Sequence, residues 1–435
     1  MIDRREVIDI AGTKSLLPQV IEKDYVLGWV LAGIYQHEAL AENWIFKGGT
    51  CLRKCFFETY RFSEDLDFTL REAAHLDSGF FADAFGWIED WVYERTGIEL
   101  PSNRREFDVY PNPRGHRSCQ ARIPYRGPIA PRGRILPNIK LDLTADEHLA
   151  LAPIHTPIFH PYSDVPESGI HVTAYAYEEV FAEKIRALSE RTRPRDLYDV
   201  INLYRNNEAR PASAVVLDVL RRKCEYKGIP VPLSRVDIEP HRQELESGWE
   251  HMLSYQLPAL PPLQDFWNTL PEFFVWLKSD VVREAPAAYE IAAGETVLRV
   301  RTLHLPVSSN AQAYLEVIRF AASNRLCVDL LYKGRPRRIE PYSLRSTKDG
   351  NVILHAYDIR KRGHRSYRVD LIQGANATGE TFVPRNAVEL SASGPFTIRP
   401  TGGPGAPQDA LSFPMRSANH CTPRGLPYCS DRFDN

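Results

Sequence analysis

Hydrophobic positions change period several times along the chain, and each change marks an element. Val20, Leu27, Val30, Leu31 and Ile34 recur at intervals of three and four, which predicts a helix over residues 15–40 with Glu22, Lys23 and Asp24 as a charged patch. The apolar run Trp44-Ile45-Phe46 follows, then Lys47-Gly48-Gly49-Thr50, then Leu52, Cys55, Phe56 and Tyr60 at helical spacing. This predicts a strand, a glycine turn and a helix that Thr50 can cap. A second helix is expected over about 78–96, and helical periodicity returns from Tyr175 to about Arg205. Further helical segments over 212–280 are separated by Pro-rich breaks such as Pro258-Ala-Leu-Pro-Pro262. Beyond 312, a helix (Ala313 to Ala322) precedes alternating runs at 326–332, 337–344, 352–359, 366–371 and 381–383, whose spacing suggests a small barrel or sandwich.

The resulting fold class is α+β. The expected organisation is a core over 1–205, a helical subdomain over 206–281, a connector over 282–311, a small β-barrel domain over 312–392 and a tail over 393–435. Twelve of the 42 residues from Gly394 onward are Gly or Pro, so the tail is not expected to fold. No internal repeat is visible.

Composition narrows the class without naming a chemistry. The 435 residues carry 54 Lys and Arg against 56 Asp and Glu, a balance that argues against a wholly polybasic binder. The average conceals local faces: residues 104–140 hold nine basic side chains against Glu106 and Asp108. The apolar run Val26–Tyr35 has ten residues, about half of the roughly 20 a bilayer crossing needs. The N-terminal MIDRREVIDI lacks the layout of a secretory signal. A cytoplasmic protein without membrane association is therefore expected. Seven cysteines without CxxC spacing disfavour both a disulfide framework and a structural zinc site.

The candidate chemistry starts at Ser63-Glu-Asp-Leu-Asp-Phe-Thr-Leu70. Leu66, Phe68 and Leu70 alternate with Asp65, Asp67 and Thr69, so a half-buried strand would point both aspartates off one face. Neighbouring carboxylates repel unless a cation lies between them, and hard oxygen donors suit Mg²⁺. The same alternation at Ile139, Leu141 and Leu143 makes Asp142 a third acid able to join them if the strands are neighbours, as metal ligand and general base. A glycine turn opening a helix offers backbone N–H groups to a triphosphate. Together these form the layout of a two-metal nucleotidyl-transfer site.

Phe46-Lys-Gly-Gly-Thr-Cys-Leu-Arg-Lys54, Arg61-Phe-Ser-Glu-Asp-Leu-Asp-Phe68, Glu183-Lys-Ile-Arg-Ala-Leu188 and Arg195-Asp-Leu-Tyr-Asp199 closely resemble motifs of the AbiEii nucleotidyltransferase toxins, over about residues 10–280. The resemblance implies a polymerase-β-like nucleotidyltransferase core with a helical subdomain, acting in a toxin–antitoxin or abortive-infection (phage defence) system. It further implies Asp65 and Asp67 as metal ligands; Gly48, Gly49, Thr50 and Ser63 along the triphosphate; and Lys184 and Asp196 completing the nucleotide site. With Asp142 as the candidate third ligand, two Mg²⁺ ions are expected. NTP, an RNA acceptor, tRNA at its 3′ end in some members, and a cognate antitoxin are the partners it suggests.

Arg338-Ile-Glu-Pro-Tyr-Ser-Leu344, Val352 to Tyr357 and Arg365-Ser-Tyr-Arg-Val-Asp-Leu-Ile372 resemble a WYL domain, an Sm-like barrel, over about 312–390, although the eponymous tripeptide is missing. Residues 333–368 hold eleven Lys or Arg against three acids, with Tyr342, Tyr357 and Tyr367 interleaved, a composition suited to phosphate attraction and base stacking. Arg122, Arg126, Arg132, Arg134, Arg338, Arg360 and Arg365 are the candidate RNA-binding side chains. Two rivals share these residues: transfer onto a protein or small molecule, and a non-catalytic nucleic-acid-binding regulator acting through the WYL-like region.

Overall fold

A computed structural model describes residues 1–57, 61–129, 135–206, 209–279, 287–298 and 309–390. Three helices open the chain: α1 (Arg4–Lys14), α2 (Pro18–Gln36) and α3 (Glu38–Asn43). Asp3 caps α1 by accepting from the Glu6 N–H, and Pro18 starts α2, where its missing N–H costs nothing. Then come β1 (Trp44–Lys47), the short α4 (Gly48–Cys51), β2 (Asp65–Leu70) and α5 (Ser78–Thr96). The spans of β1 and α5 agree with the periodicity, whereas the helix expected over 15–40 is shorter: α2 starts at Pro18 and breaks at His37, before α3.

Five further strands complete the first sheet: β3 (Glu106–Pro111), β4 (Arg117–Pro124), β5 (Asn138–Thr144), β6 (Ile154–Pro157) and β7 (His171–Ala174). Their order is β3-β4-β5-β2-β1-β7-β6, with β2 parallel to β5 and antiparallel to β1. Leu66, Phe68, Leu141 and Leu143 are buried on the core side, and Trp44, Phe46, Phe81 and Phe85 join the same core. Alternation therefore leaves the intervening polar residues on the opposite face.

The helices α6 (Tyr177–Glu190), α7 (Pro194–Arg205), α8 (Ser213–Lys227), α9 (Arg242–Leu253) and α10 (Leu263–Ser279) follow. The break between α9 and α10 falls at the Pro-rich segment.

The C-terminal part holds β8 (Thr296–Val297), α11 (Ser309–Ser323), β9 (Leu326–Tyr332), β10 (Arg335–Ser346), β11 (Val352–Asp358), β12 (Gly363–Arg368) and β13 (Ile372–Thr381). The sheet runs β12-β11-β10-β9-β13, with β8 on β10. The expected closed barrel is not formed among the described residues: β12 pairs only with β11 and β13 only with β9. Two strand boundaries also differ from expectation. Residues 369–371 form a 3₁₀ turn rather than the end of a strand, and the last strand begins at Ile372, not 381. Gly374, Asn376 and Gly379 mask β13 in the sequence; it exists because β9 pairs with it and α11 packs across it, with register shifts at Ile372/Gly374 and Ala377/Thr381. The expected tail lies outside the described residues, as do Arg132, Arg134 and parts of the expected connector.

Candidate active site

Register brings the candidate acids together. Asp67 is opposite Asp142 across β2 and β5, Asp142 is opposite Gln120 on β4, and Asp67 is opposite Lys47 on β1. Gln120, Asp142, Asp67 and Lys47 thus form one row across four strands on one sheet face. The next row, two residues away, is Glu106, Arg122, Lys140 and Asp65. A cleft with an empty volume of about 1020 Å³, including open solvent, lies over the first row. Its lining includes Lys47, Gly48, Asp67, Tyr110, Gln120, Asp142, Glu183, Lys184, Arg191 and Arg193.

The acids oppose one another electrostatically. Burial raises the Asp67 carboxyl to about 6, and the charges of Asp142 and Asp65 add to that rise against the pull of Lys184 and Lys47. Burial and Asp65 raise Asp142 as well. Among the described residues no three His, Cys, Asp or Glu side chains are drawn together as a ready-made metal cluster. The donor set nevertheless fits a hard divalent cation: three carboxylates share one sheet face, and a cation would offset both the burial that chiefly lifts Asp67 and the repulsion from Asp142 and Asp65 that adds to it.

Gly48 has φ +82, and a Cβ there would collide with the Asp67 carboxylate; a Cβ on Gly49 would meet Ser63 Oγ at 3.1 Å. Gly48 therefore lets backbone approach Asp67 closely, and Gly49 fits against Arg61 and Ser63. Thr50 departs from expectation. It is fully buried, its hydroxyl donates to the Asp65 carbonyl at 2.5 Å, and α4 has Lys47 at its N-cap with no side-chain cap. Thr50 thus ties the glycine turn to the strand that bears the acids. The expected helix is one turn that widens into a π-helical turn over Leu52–Phe56.

Lys184 on α6 is buried and lines the cleft. Its ammonium lies 3.2 Å from Asp196 Oδ1 and 2.8 Å from Asp199 Oδ2. Arg191 holds Asp196 at 2.9 and 3.1 Å, and Arg61 grips Asp199 with two hydrogen bonds of 2.7 and 2.8 Å. Burial opposes ionisation of Asp196, but Lys184 and Arg191 hold its carboxyl far below the usual range; Arg61 and Lys184 lower that of Asp199. Asp196 is 1% exposed and both oxygens are engaged, so it positions Lys184 and Arg191 rather than facing the cleft.

Several site residues escaped the sequence reading. Lys47 lies 3.3 Å from Glu183 and 3.8 Å from Glu147; burial pushes its ammonium down, but the two carboxylates outweigh that and leave it raised. Arg191 and Arg193 line the cleft, and Arg195 stands 3.9 Å from Asp65. The alternation Arg191-Thr-Arg193-Pro-Arg195 ahead of Asp196 was the available signal. The positive φ of Thr192, +43, turns that segment between α6 and α7.

Of the basic candidates, Arg122 and Lys140 share the row that leads to Asp65, with Glu106 3.5 Å from Arg122. Arg126 is engaged by Glu99 at 2.5 Å, and Arg338 by Asp329 and Glu380. Arg365 donates to the His364 carbonyl, and Arg360 is exposed with no ion pair among the described residues.

Residues 29–277, more than half of the chain, match the family described as nucleotidyl transferase AbiEii toxin, type IV TA system. The chain belongs to the AbiEii family. It is a nucleotidyltransferase toxin of that class, for which an NTP is the substrate and an antitoxin the partner. Residues 313–377 match the WYL domain. No curated protein matches the chain. Among solved structures, MenT4, a nucleotidyltransferase toxin from Mycobacterium tuberculosis H37Rv, is 19% identical with a TM-score of 0.42, covering 64% of this chain and 90% of that one. Proteasome accessory factor B/C of Arthrobacter aurescens is 17% identical with a TM-score of 0.16, over 37% of this chain and 24% of that one. Among the described residues no helix is long and apolar enough to cross a membrane.

Proposed function

We propose that this AbiEii toxin transfers a nucleoside monophosphate from an NTP to the 3′-hydroxyl of an RNA, tRNA being the favoured acceptor, with release of pyrophosphate. The observation that carries the reading is the placement of Asp65, Asp67 and Asp142 on one face of two parallel strands, beside a glycine turn that leaves backbone N–H groups near them. Asp65, Asp67 and Asp142 would hold Mg²⁺, which supplies charge neutralisation at the α-phosphate and activation of the attacking oxygen. The amides of Gly48 and Gly49, with Ser63 behind them, cradle the triphosphate, and Lys184 presents a positive charge fixed by Asp196 and Asp199. Arg191 and Arg193 add positive charge at the cleft wall. Asp142, raised by burial and Asp65, accepts the proton of the attacking hydroxyl at its carboxylate.

RNA is favoured over a protein or small-molecule acceptor by the basic stretch over 104–140, nine Lys or Arg against Glu106 and Asp108, of which Arg122 and Lys140 stand in the row beside Asp65. Incubating the protein with each α-labelled NTP, Mg²⁺ and either total RNA or total protein tests the reading. Label in the RNA fraction, removed by 3′-exonuclease, is the expected result; label confined to protein overturns it.

A further inference from the structure

The C-terminal sheet carries an aromatic nest that the transferase chemistry does not use, and the chain fills it with its own segment. His355 on β11 and His364 on β12 lie with ring centroids 5.2 Å apart and planes 5° from parallel. Tyr289, from the stretch preceding β8, packs on both, at 4.5 Å from His355 and 4.1 Å from His364. Tyr342 and Tyr357 border His364 at 5.5 and 5.3 Å. Beside the rings, the buried Arg345 guanidinium donates to the carbonyls of Tyr289 and Glu290 at 3.1 and 3.0 Å and lies 3.4 Å from Glu295. Further bonds fasten the segment at both ends: the Ala387 N–H donates to the Ala287 carbonyl at 3.1 Å, Val297 and Thr296 pair with Arg345 and Ser346, and the Leu298 N–H donates to the Leu344 carbonyl at 2.8 Å.

The contacts define what the nest accepts. It takes a flat ring against two imidazoles and hydrogen-bond acceptors or anionic oxygens against a guanidinium. Burial, Arg345 and His364 push His355 down to about 4, so its ring is neutral near pH 7 and stacks as an aromatic. Among the described residues, His355 Nε2 and His364 Nδ1 are buried without a hydrogen-bond partner, and polar ring atoms of a heterocycle would serve them. At the adjoining β11–β12 turn, Arg360, Lys361 and Arg362 are exposed with no ion pairs among the described residues, and Arg365 is close by on β12. A nucleobase joined to phosphates satisfies ring, guanidinium and cations together. Tyr289, its carbonyls and Glu295 imitate that combination.

We propose that residues 287–298 are an internal strap occupying a single-stranded RNA site on the C-terminal sheet, with Tyr289 in the place of a base and the backbone carbonyls and Glu295 in the place of phosphate oxygens. RNA and strap compete for the same nest, so RNA binding expels the strap. The strap lies in the chain between the transferase helices and α11, which makes its release a change in the tether between the two regions. The choice of RNA as occupant rests on the acceptor assigned above; the strap itself does not.

The test uses the full chain and a single-stranded oligoribonucleotide whose 3′ end is blocked by phosphate, without NTP or Mg²⁺, so that transfer plays no part. Tyr289→Ala removes the competitor and should tighten binding about tenfold or more relative to wild type. Adding His364→Ala to Tyr289→Ala should abolish that gain. In wild type, the oligonucleotide should accelerate hydrogen exchange of the Leu298 amide while core amides of β10 stay protected. Unchanged or weaker binding by Tyr289→Ala, a gain that survives the second substitution, or a Leu298 amide indifferent to RNA would each overturn the proposal. Should the protein prove to label something other than RNA, the exchange response to Tyr289→Ala alone still reports whether the strap occupies the nest: faster exchange at Leu298 supports it, and no change counts against it.

Discussion

Asp67 is the residue on which structure, stability and chemistry meet. Its carboxyl stands at about 6 against an ordinary 3.8, so the folded protein binds this proton more tightly than the unfolded chain does. Stability therefore falls as pH rises from about 4 to about 6 and stays lower above, by about 3 kcal/mol for this group. Asp67→Asn removes the charge and should stabilise the metal-free protein above pH 6 by roughly 1–3 kcal/mol, with the gap closing below about pH 4. Urea unfolding in EDTA at several pH values measures this. Mg²⁺ should raise the melting temperature of wild type and leave Asp67→Asn unmoved; equal responses would remove Asp67 from the cation site. The acids were legible because strand alternation and carboxylate chemistry are both local. The ion pairs of Lys47 with Glu183 and of Arg61 with Asp199 were not, since they join residues 136 and 138 apart along the chain. Only the fold, which carries α6 and α7 alongside the connection between β1 and β2, brings such pairs together.

At the scale of elements, the turn from β1 to β2 decides whether the site assembles. Gly48 occupies the left-handed region, and a methyl group there is strained at about 1 kcal/mol as well as colliding with Asp67. Gly48→Ala should lower the unfolding free energy by about 1–2 kcal/mol and the transfer rate at least a hundredfold, because the displaced group is the central carboxylate. Near-wild-type transfer with the expected stability loss would show that close approach of this backbone is not needed. Most elements were readable from periodicity, including the limits of α5 and β9. The π-helical turn after α4 and the glycine-bearing β13 were not, because each is imposed by neighbours rather than by local preference. The open edges β12 and β13 have the same origin: alternation shows that strands exist but not whether the first and last meet.

For the molecule as a whole, a connector over 282–311 would let the transferase survive truncation near residue 305, and the packing argues otherwise. Helix α11 lies against α1 and buries Leu315, Ile318, Phe320 and Ala321. Asn324, just after it, accepts a 2.9 Å hydrogen bond from the Tyr198 hydroxyl on α7, between the two aspartates that hold Lys184. Truncation should therefore expose apolar surface and reduce soluble yield, whereas Tyr198→Phe should cost about 1 kcal/mol in the full chain. A double-mutant cycle with Asn324→Ala should show coupling of comparable size; strict additivity would mean the bond contributes nothing. A soluble truncation with unchanged melting would instead make the two regions independent.

Asp65, Asp67 and Asp142 are proposed as the centre of an RNA nucleotidyltransferase. The most direct test is incorporation of label from α-labelled NTP into RNA 3′ ends by purified wild type and by Asp67→Asn, with Mg²⁺ or with EDTA. Wild type should label RNA only with Mg²⁺, and Asp67→Asn, folded and at least as stable, should fall by a thousandfold or more. Undiminished RNA labelling by Asp67→Asn would contradict the account.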